Sequence, residues 1–112
     1  MRLPNPDRAV VPPEKVRDYL LSPEHPIGRF KAVVFQAVGY ERRSWQRLQS
    51  DLLSAAHVEG ALLKETTPFG QKFELPVVLA GPLERELPVL TIWFVRSGED
   101  FPRLVTAFPR GS

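Results

Sequence analysis

The chain contains no cysteine, so disulfide bridges, zinc–thiolate sites and thiol nucleophiles are excluded. Histidine occurs only as His25 and His57, too few and too far apart in sequence to suggest a metal site. No stretch approaches the ~20 apolar residues of a membrane span. The opening MRLPNPDRAVV lacks the apolar run of a signal peptide. These absences predict a cytoplasmic protein with no membrane association, no metal and no cofactor. Walker loops, GxGxxG, HExxH and GxSxG are also missing, which removes the strongly marked nucleotide-binding and hydrolase classes.

What is present suffices for one domain, residues 1–112. With 43% hydrophobic residues in a chain of 112, an ordinary core can form without cross-links. Fifteen basic residues oppose 13 acidic ones, a net charge of +2 that permits a nucleic-acid partner without demanding one.

Proline and periodicity divide the chain. Residues 1–11, with Pro4 and Pro6, read as an irregular arm whose apolar end packs on the domain. A helical part follows over 12–57. Its first helix starts at Pro12-Pro13, where proline is tolerated, and runs to about Leu21 with Val16, Tyr19 and Leu20 as an apolar stripe. The second covers about Ile27 to Val38; Phe30, Val33, Val34, Ala37 and Val38 make it the most apolar and predict a central position. The third covers about Arg42 to Ala56, with Trp45, Leu48, Leu52, Leu53 and Ala56 on one face. After Gly60 the period changes from 3.6 to 2, predicting a sheet over 60–109: Ala61–Thr66, Lys72–Ala80, Leu87–Arg96 and Arg103–Phe108. Pro76 marks an edge or a bulge, and Leu87–Arg96 reads as the central strand. Strict alternation in the last strand puts Leu104, Thr106 and Phe108 on one face and Arg103, Val105 and Ala107 on the other. Short connectors without crossover helices predict an α+β fold, about three N-terminal helices packed on a four-stranded antiparallel meander. The closing Gly111-Ser112 is assigned no role.

Several polar residues fall where apolar packing does not explain them. His25 stands in a rigid turn opening the second helix, either as a neutral base or as a cap of the turn. Lys31 lies early on the most apolar helix and either snorkels outward or points toward a site. Arg42, Arg43 and Arg47 with Trp45 form a basic patch or a solvated helix face. Thr66 to Glu74 encloses a Pro-Gly turn beside Gln71 and Lys72. Thr106 and Thr91 place hydroxyls in apolar strands, where each needs a partner. Base, acid and fixed positive charge are what metal-independent RNA cleavage requires, and the same inventory suits other roles.

The stretches LPNPDRAVVPPEKVRDYLL, HPIGRFKAVVFQAVGY, TTPFGQKFEL and TIWFVRSGEDFPRLVTAFP resemble an uncharacterised bacterial domain family with a DYLL…HPxGxxKA core, a PYGxKYE-like turn and a PRLVTAYP-like closing strand. The layout is similar to the barnase–EndoU–colicin–RelE group of ribonuclease toxins. The resemblance implies RNA cleavage on the exposed sheet face, with His25, Lys31, Lys72, Arg103 and Thr106 as catalytic positions. It also implies RNA and a small cognate antitoxin or immunity protein as partners. Phe69, Phe73 and Phe108 depart from that pattern, standing where relatives carry tyrosine. The alternative is a non-enzymatic protein-interaction module that uses the sheet face or the Pro76 edge. A small-ligand-binding domain is a third reading, for which the sequence marks no pocket.

Overall fold

The computed structural model describes residues 1–110; Gly111-Ser112 lie outside the described residues. The element order matches the sequence expectation: three helices, then a four-stranded antiparallel meander in the order β1-β2-β3-β4. The N-terminal arm buries Leu3 and Val11. It is more regular than expected, because a 3-10 turn, Pro6–Arg8, follows Asn5. Its ends are held by main-chain bonds. The Met1 carbonyl accepts the Gly60 and Ala61 amides, and Val10 forms a parallel bridge at Arg103.

Helix α1 has two windings: an α turn over Pro13–Lys15 and a π segment over Val16–Leu20. The π winding is closed by the Leu21 amide donating to the Val16 carbonyl at 2.9 Å. Widening the turn lets Val16, Leu20 and Leu21 all reach the core, and Tyr19 is left half-buried at its rim.

Helix α2 spans Gly28–Ala37. The expected stripe is corrected here. Phe30 and Val33 are 65% and 67% exposed, and Ala37 is also exposed; the inward positions are Gly28, Ala32, Phe35 and Val38. An apolar helix with two candidate faces takes the one whose small residues allow close approach, and Gly28 and Ala32 supply it. α2 is therefore a flanking helix and not the central one, with Lys31 beside its buried face. Helix α3, Trp45–Ala55, follows a 3-10 turn at Arg42–Ser44 and buries Leu48, Leu52 and Ala55.

The strands are β1 Leu62–Thr67, β2 Gly70–Ala80, β3 Glu86–Arg96 and β4 Arg103–Pro109. Phe73, Leu75, Val77 and Leu79 of β2 face the core, as alternation predicts. β1 pairs only with Gly70 to Glu74, so Pro76 sits on a stretch of β2 with no neighbour on that side, where its missing N–H costs nothing. β3 has partners on both sides.

β4 departs from strict alternation. Its register shifts between Leu104, paired with Trp93, and Thr106, paired with Ile92. Val105 is the extra residue of a β-bulge. Leu104 and Ala107 therefore share the core face, while Thr106 and Phe108 pair with Ile92 and Leu90 on the opposite one. The expected grouping of Leu104 with Thr106 and Phe108 is corrected by this single insertion.

Thr91 is fully buried, and its hydroxyl is satisfied twice. It donates to the Leu75 carbonyl at 2.7 Å and accepts from Trp93 Nε1 at 2.8 Å. This threonine is structural. Thr91→Val keeps the shape but strands the Trp93 donor in the core. It is expected to lower unfolding free energy by about 1–3 kcal/mol in urea denaturation; an unchanged midpoint contradicts this role.

Candidate functional site

The turn between α1 and α2 is built by its polar side chains. Ser22 Oγ accepts the amides of Glu24 and His25, both at 3.3 Å. His25 Nδ1 accepts the amides of Ile27 and Gly28 at 3.1 and 3.0 Å, satisfying donors that the start of α2 leaves free. An Nδ1 that accepts carries no proton, so neutral His25 presents Nε2–H as a donor. The ring meets Tyr19 edge-on, with centroids 4.8 Å apart.

Gly28 fixes how closely α2 approaches α1. A Cβ there would lie 2.0 Å from the Tyr19 carbonyl oxygen and 3.0 Å from its ring. No side chain fits, so the first turn of α2 rests on the backbone of Tyr19. Lys31, one turn further on the same side, is thereby delivered to the Tyr19 hydroxyl.

Lys31 Nζ donates to Tyr19 Oη at 2.6 Å and to Thr106 Oγ1 at 2.7 Å. The two hydroxyls are themselves 3.2 Å apart. The ammonium also lies 4.2 Å from the centre of the Phe108 ring and 4.8 Å from that of Tyr19. One aromatic face, that of Phe108, and two neutral oxygens thus surround a half-buried cation, with Tyr19 meeting it through its hydroxyl end. Among the described residues no carboxylate lies within ion-pair distance of Lys31. Burial pushes the Tyr19 phenol up, but hydrogen bonds from Lys31 and Thr106 and the charges of Lys31 and Lys15 outweigh it. The phenol is held below its ordinary value.

A cleft of about 370 Å³ opens beside Tyr19 and His25, bounded by Glu14, Lys15, Asp18 and Val105. A second cleft, about 540 Å³, shares Glu14, Lys15 and Val105 with it and continues to Phe94, Arg96 and Arg103. Together they form one groove between α1 and β4.

Of the sequence-predicted residues, Lys31 and Thr106 are in direct contact, and His25 joins them through the Tyr19 ring. Arg103 lies further along the groove: it pairs with Phe94 and Thr106 with Ile92, two residues apart on β3, so the bulge brings the two β4 residues to about 7 Å along the strand. Its guanidinium is engaged by both oxygens of Glu99 at 3.0 Å, which holds the Glu99 carboxyl below the usual range. Lys72 stands farther away on β2; it pairs with Phe94, which pairs with Arg103.

The other polar candidates have structural partners. Arg42 reaches the Arg17 carbonyl and Asp18, Arg43 binds Glu41, and Arg47 binds Asp51. Thr67 Oγ1 accepts the Phe69 amide within the β1–β2 turn. Among the described residues, no three His, Asp or Glu side chains cluster as metal ligands would.

Two residues at the site escape sequence reasoning. Tyr19 reads as part of a core stripe, because a π turn is invisible to a 3.6-residue period. Phe108 reads as a lost hydroxyl, whereas its ring face is what meets the ammonium.

The chain has only two tyrosines, and their surroundings push them apart. Burial, reinforced by the Asp51 carboxylate 2.6 Å from its hydroxyl, drives the Tyr40 phenol well above the ordinary range. Alkaline titration followed at 295 nm is therefore expected to give two separated transitions. The first, from Tyr19, lies below the usual value of about 10. Lys31→Met removes the ammonium and moves that first transition upward; coincident transitions at the ordinary value contradict the cluster.

No curated protein and no solved structure matches the chain. A family model described as a domain of unknown function, DUF6883, matches residues 2–111, and the chain belongs to that family.

Proposed function

We propose that the chain is a metal-independent ribonuclease whose reacting centre is the Lys31–Tyr19–Thr106 cluster. The observation that carries this reading is the Lys31 ammonium, half-buried without a carboxylate partner and hydrogen-bonded to a phenol whose ionisation it favours. Two of its three N–H donors are taken by Tyr19 and Thr106, and in this account the third meets an anion.

In this account the substrate phosphate sits against Lys31, with Thr106 positioning a non-bridging oxygen. Tyr19, as phenolate, takes the proton of the ribose 2′-hydroxyl as that oxygen attacks phosphorus. The P–O5′ bond breaks and the leaving oxygen takes a proton from water. Lys31 stabilises the charge that builds on the phosphorane, in a site where that interaction is stronger than in open water. His25 acts on Tyr19 and on the start of α2, and in this account its Nε2–H donates to the phosphate. Arg103, held by Glu99, and Lys72, one row away across β3, serve neighbouring phosphates. A small antitoxin or immunity protein that fills the groove is the partner this reading implies.

The test is incubation of the purified protein with labelled single-stranded RNA in excess chelator, with products resolved on a denaturing gel. Cleavage to fragments ending in 2′,3′-cyclic phosphate is expected, and Lys31→Met and Tyr19→Phe each lower the rate about 100-fold or more. The wild-type rate rises with pH toward the lowered Tyr19 value, and that rise disappears in Tyr19→Phe. Intact RNA with folded wild-type protein, or undiminished cleavage by Lys31→Met, contradicts the proposal.

A further inference from the structure

Strand register assembles a second feature on the face of the sheet turned away from the core. Lys72, Phe94 and Arg103 are directly paired across β2, β3 and β4, so their side chains stand in one row. Neighbouring members of that row are about 4.8 Å apart. Arg96, two residues beyond Phe94, falls on the same face and lines the same cleft.

The Phe94 ring has a structural duty. A Cβ at Gly70 would meet its ring carbons at 2.7 and 2.9 Å, so the ring covers that glycine. The residue is only half-buried, however, and the rest of it lines the groove.

Three of the cations around the ring form no close ion pair. Among the described residues, Lys15, Lys72 and Arg96 make no ion pair within 4.0 Å, whereas Arg103 is held by Glu99. Glu65 stands opposite Lys72 in the register but outside that distance. Phe94 is flanked in its row by Lys72 and by the Glu99-held Arg103, with Arg96, Lys15 and Glu14 lining the cleft beside it. An aromatic side chain among cations complements a nucleobase and its neighbouring phosphates, and one end of this cleft joins the Tyr19 cleft.

We infer that Phe94, with Arg96 and Lys72, forms a base-stacking subsite that seats a nucleotide next to the scissile one, so that the domain takes single-stranded RNA. A duplex keeps its bases stacked on one another and offers Phe94 no exposed face. The inference rests on the ribonuclease reading for the identity of the ligand, and it is tested without cleavage.

The probe is a short fluorescent 2′-O-methyl RNA, which lacks the attacking hydroxyl, titrated by anisotropy as single strand and as duplex. The single strand is expected to bind more tightly. Phe94→Leu, which keeps an apolar cover over Gly70, weakens single-strand binding about tenfold, while Phe94→Trp retains it; thermal unfolding by circular dichroism verifies that both are folded. Arg96→Gln lowers the slope of log affinity against log salt by about 0.7. Equal affinity for duplex, or a folded Phe94→Leu that binds as the wild type does, overturns the subsite. If the single strand binds as expected but RNA is never cut, the subsite stands and the ribonuclease reading falls. If RNA is cut and Phe94→Leu changes nothing, the reading stands and the subsite falls.

Discussion

The Lys31 ammonium ties α2 to the two elements that bound the groove, α1 and β4. It is carried by α2, bonded to the Tyr19 hydroxyl on α1 and the Thr106 hydroxyl on β4, and faced by Phe108. A cation in such a place needs compensation, because desolvation disfavours the charged form. The compensation is supplied by two neutral oxygens and the Phe108 ring face, not by a carboxylate. A cation–π contact of this kind is worth about 0.5–2 kcal/mol. A carboxylate would neutralise the charge; the oxygens and the ring hold it in place without doing so.

Three backbone features exist in forms that this contact requires. The π winding of Val16–Leu20 turns Tyr19 out of the core stripe to the rim. Gly28 admits α2 against the Tyr19 backbone at a distance no other residue tolerates. The bulge at Val105 carries Thr106 off the core face of β4. Each departs locally from ideal geometry, and all three converge on one nitrogen. Bulges and π turns are over-represented beside functional sites, since they re-aim a side chain without altering the element that carries it.

The same departures set how much was legible in the sequence. Element order and meander topology follow from the change of period at Gly60 and from the short connectors between strands. The inward face of β2 is plain in Phe73, Leu75, Val77 and Leu79. Lys31 and Thr106 stand out because a charge and a hydroxyl interrupt apolar patterns. The face of α2 misleads because both of its sides are apolar, and only the small residues Gly28 and Ala32 tell which packs. The faces of β4 mislead because a one-residue bulge inverts alternation without leaving a proline or glycine as a marker. Tyr19 stays hidden because i+3 and i+5 exchange roles in a π turn. Arg103 and Lys72 resemble members of one constellation in sequence, yet register sets them in a separate row centred on Phe94.

The central claim is that the Lys31 cluster is an anion site. The direct measurement is an NMR titration of ¹⁵N-labelled protein with a nucleoside 3′-monophosphate, following the Tyr19, Lys31 and Thr106 amides in the wild type and in Lys31→Met. The account predicts saturable shifts at these residues in the wild type and their loss in a folded Lys31→Met. Shifts that persist in Lys31→Met, or a wild type whose Tyr19, Lys31 and Thr106 amides do not respond, would contradict it.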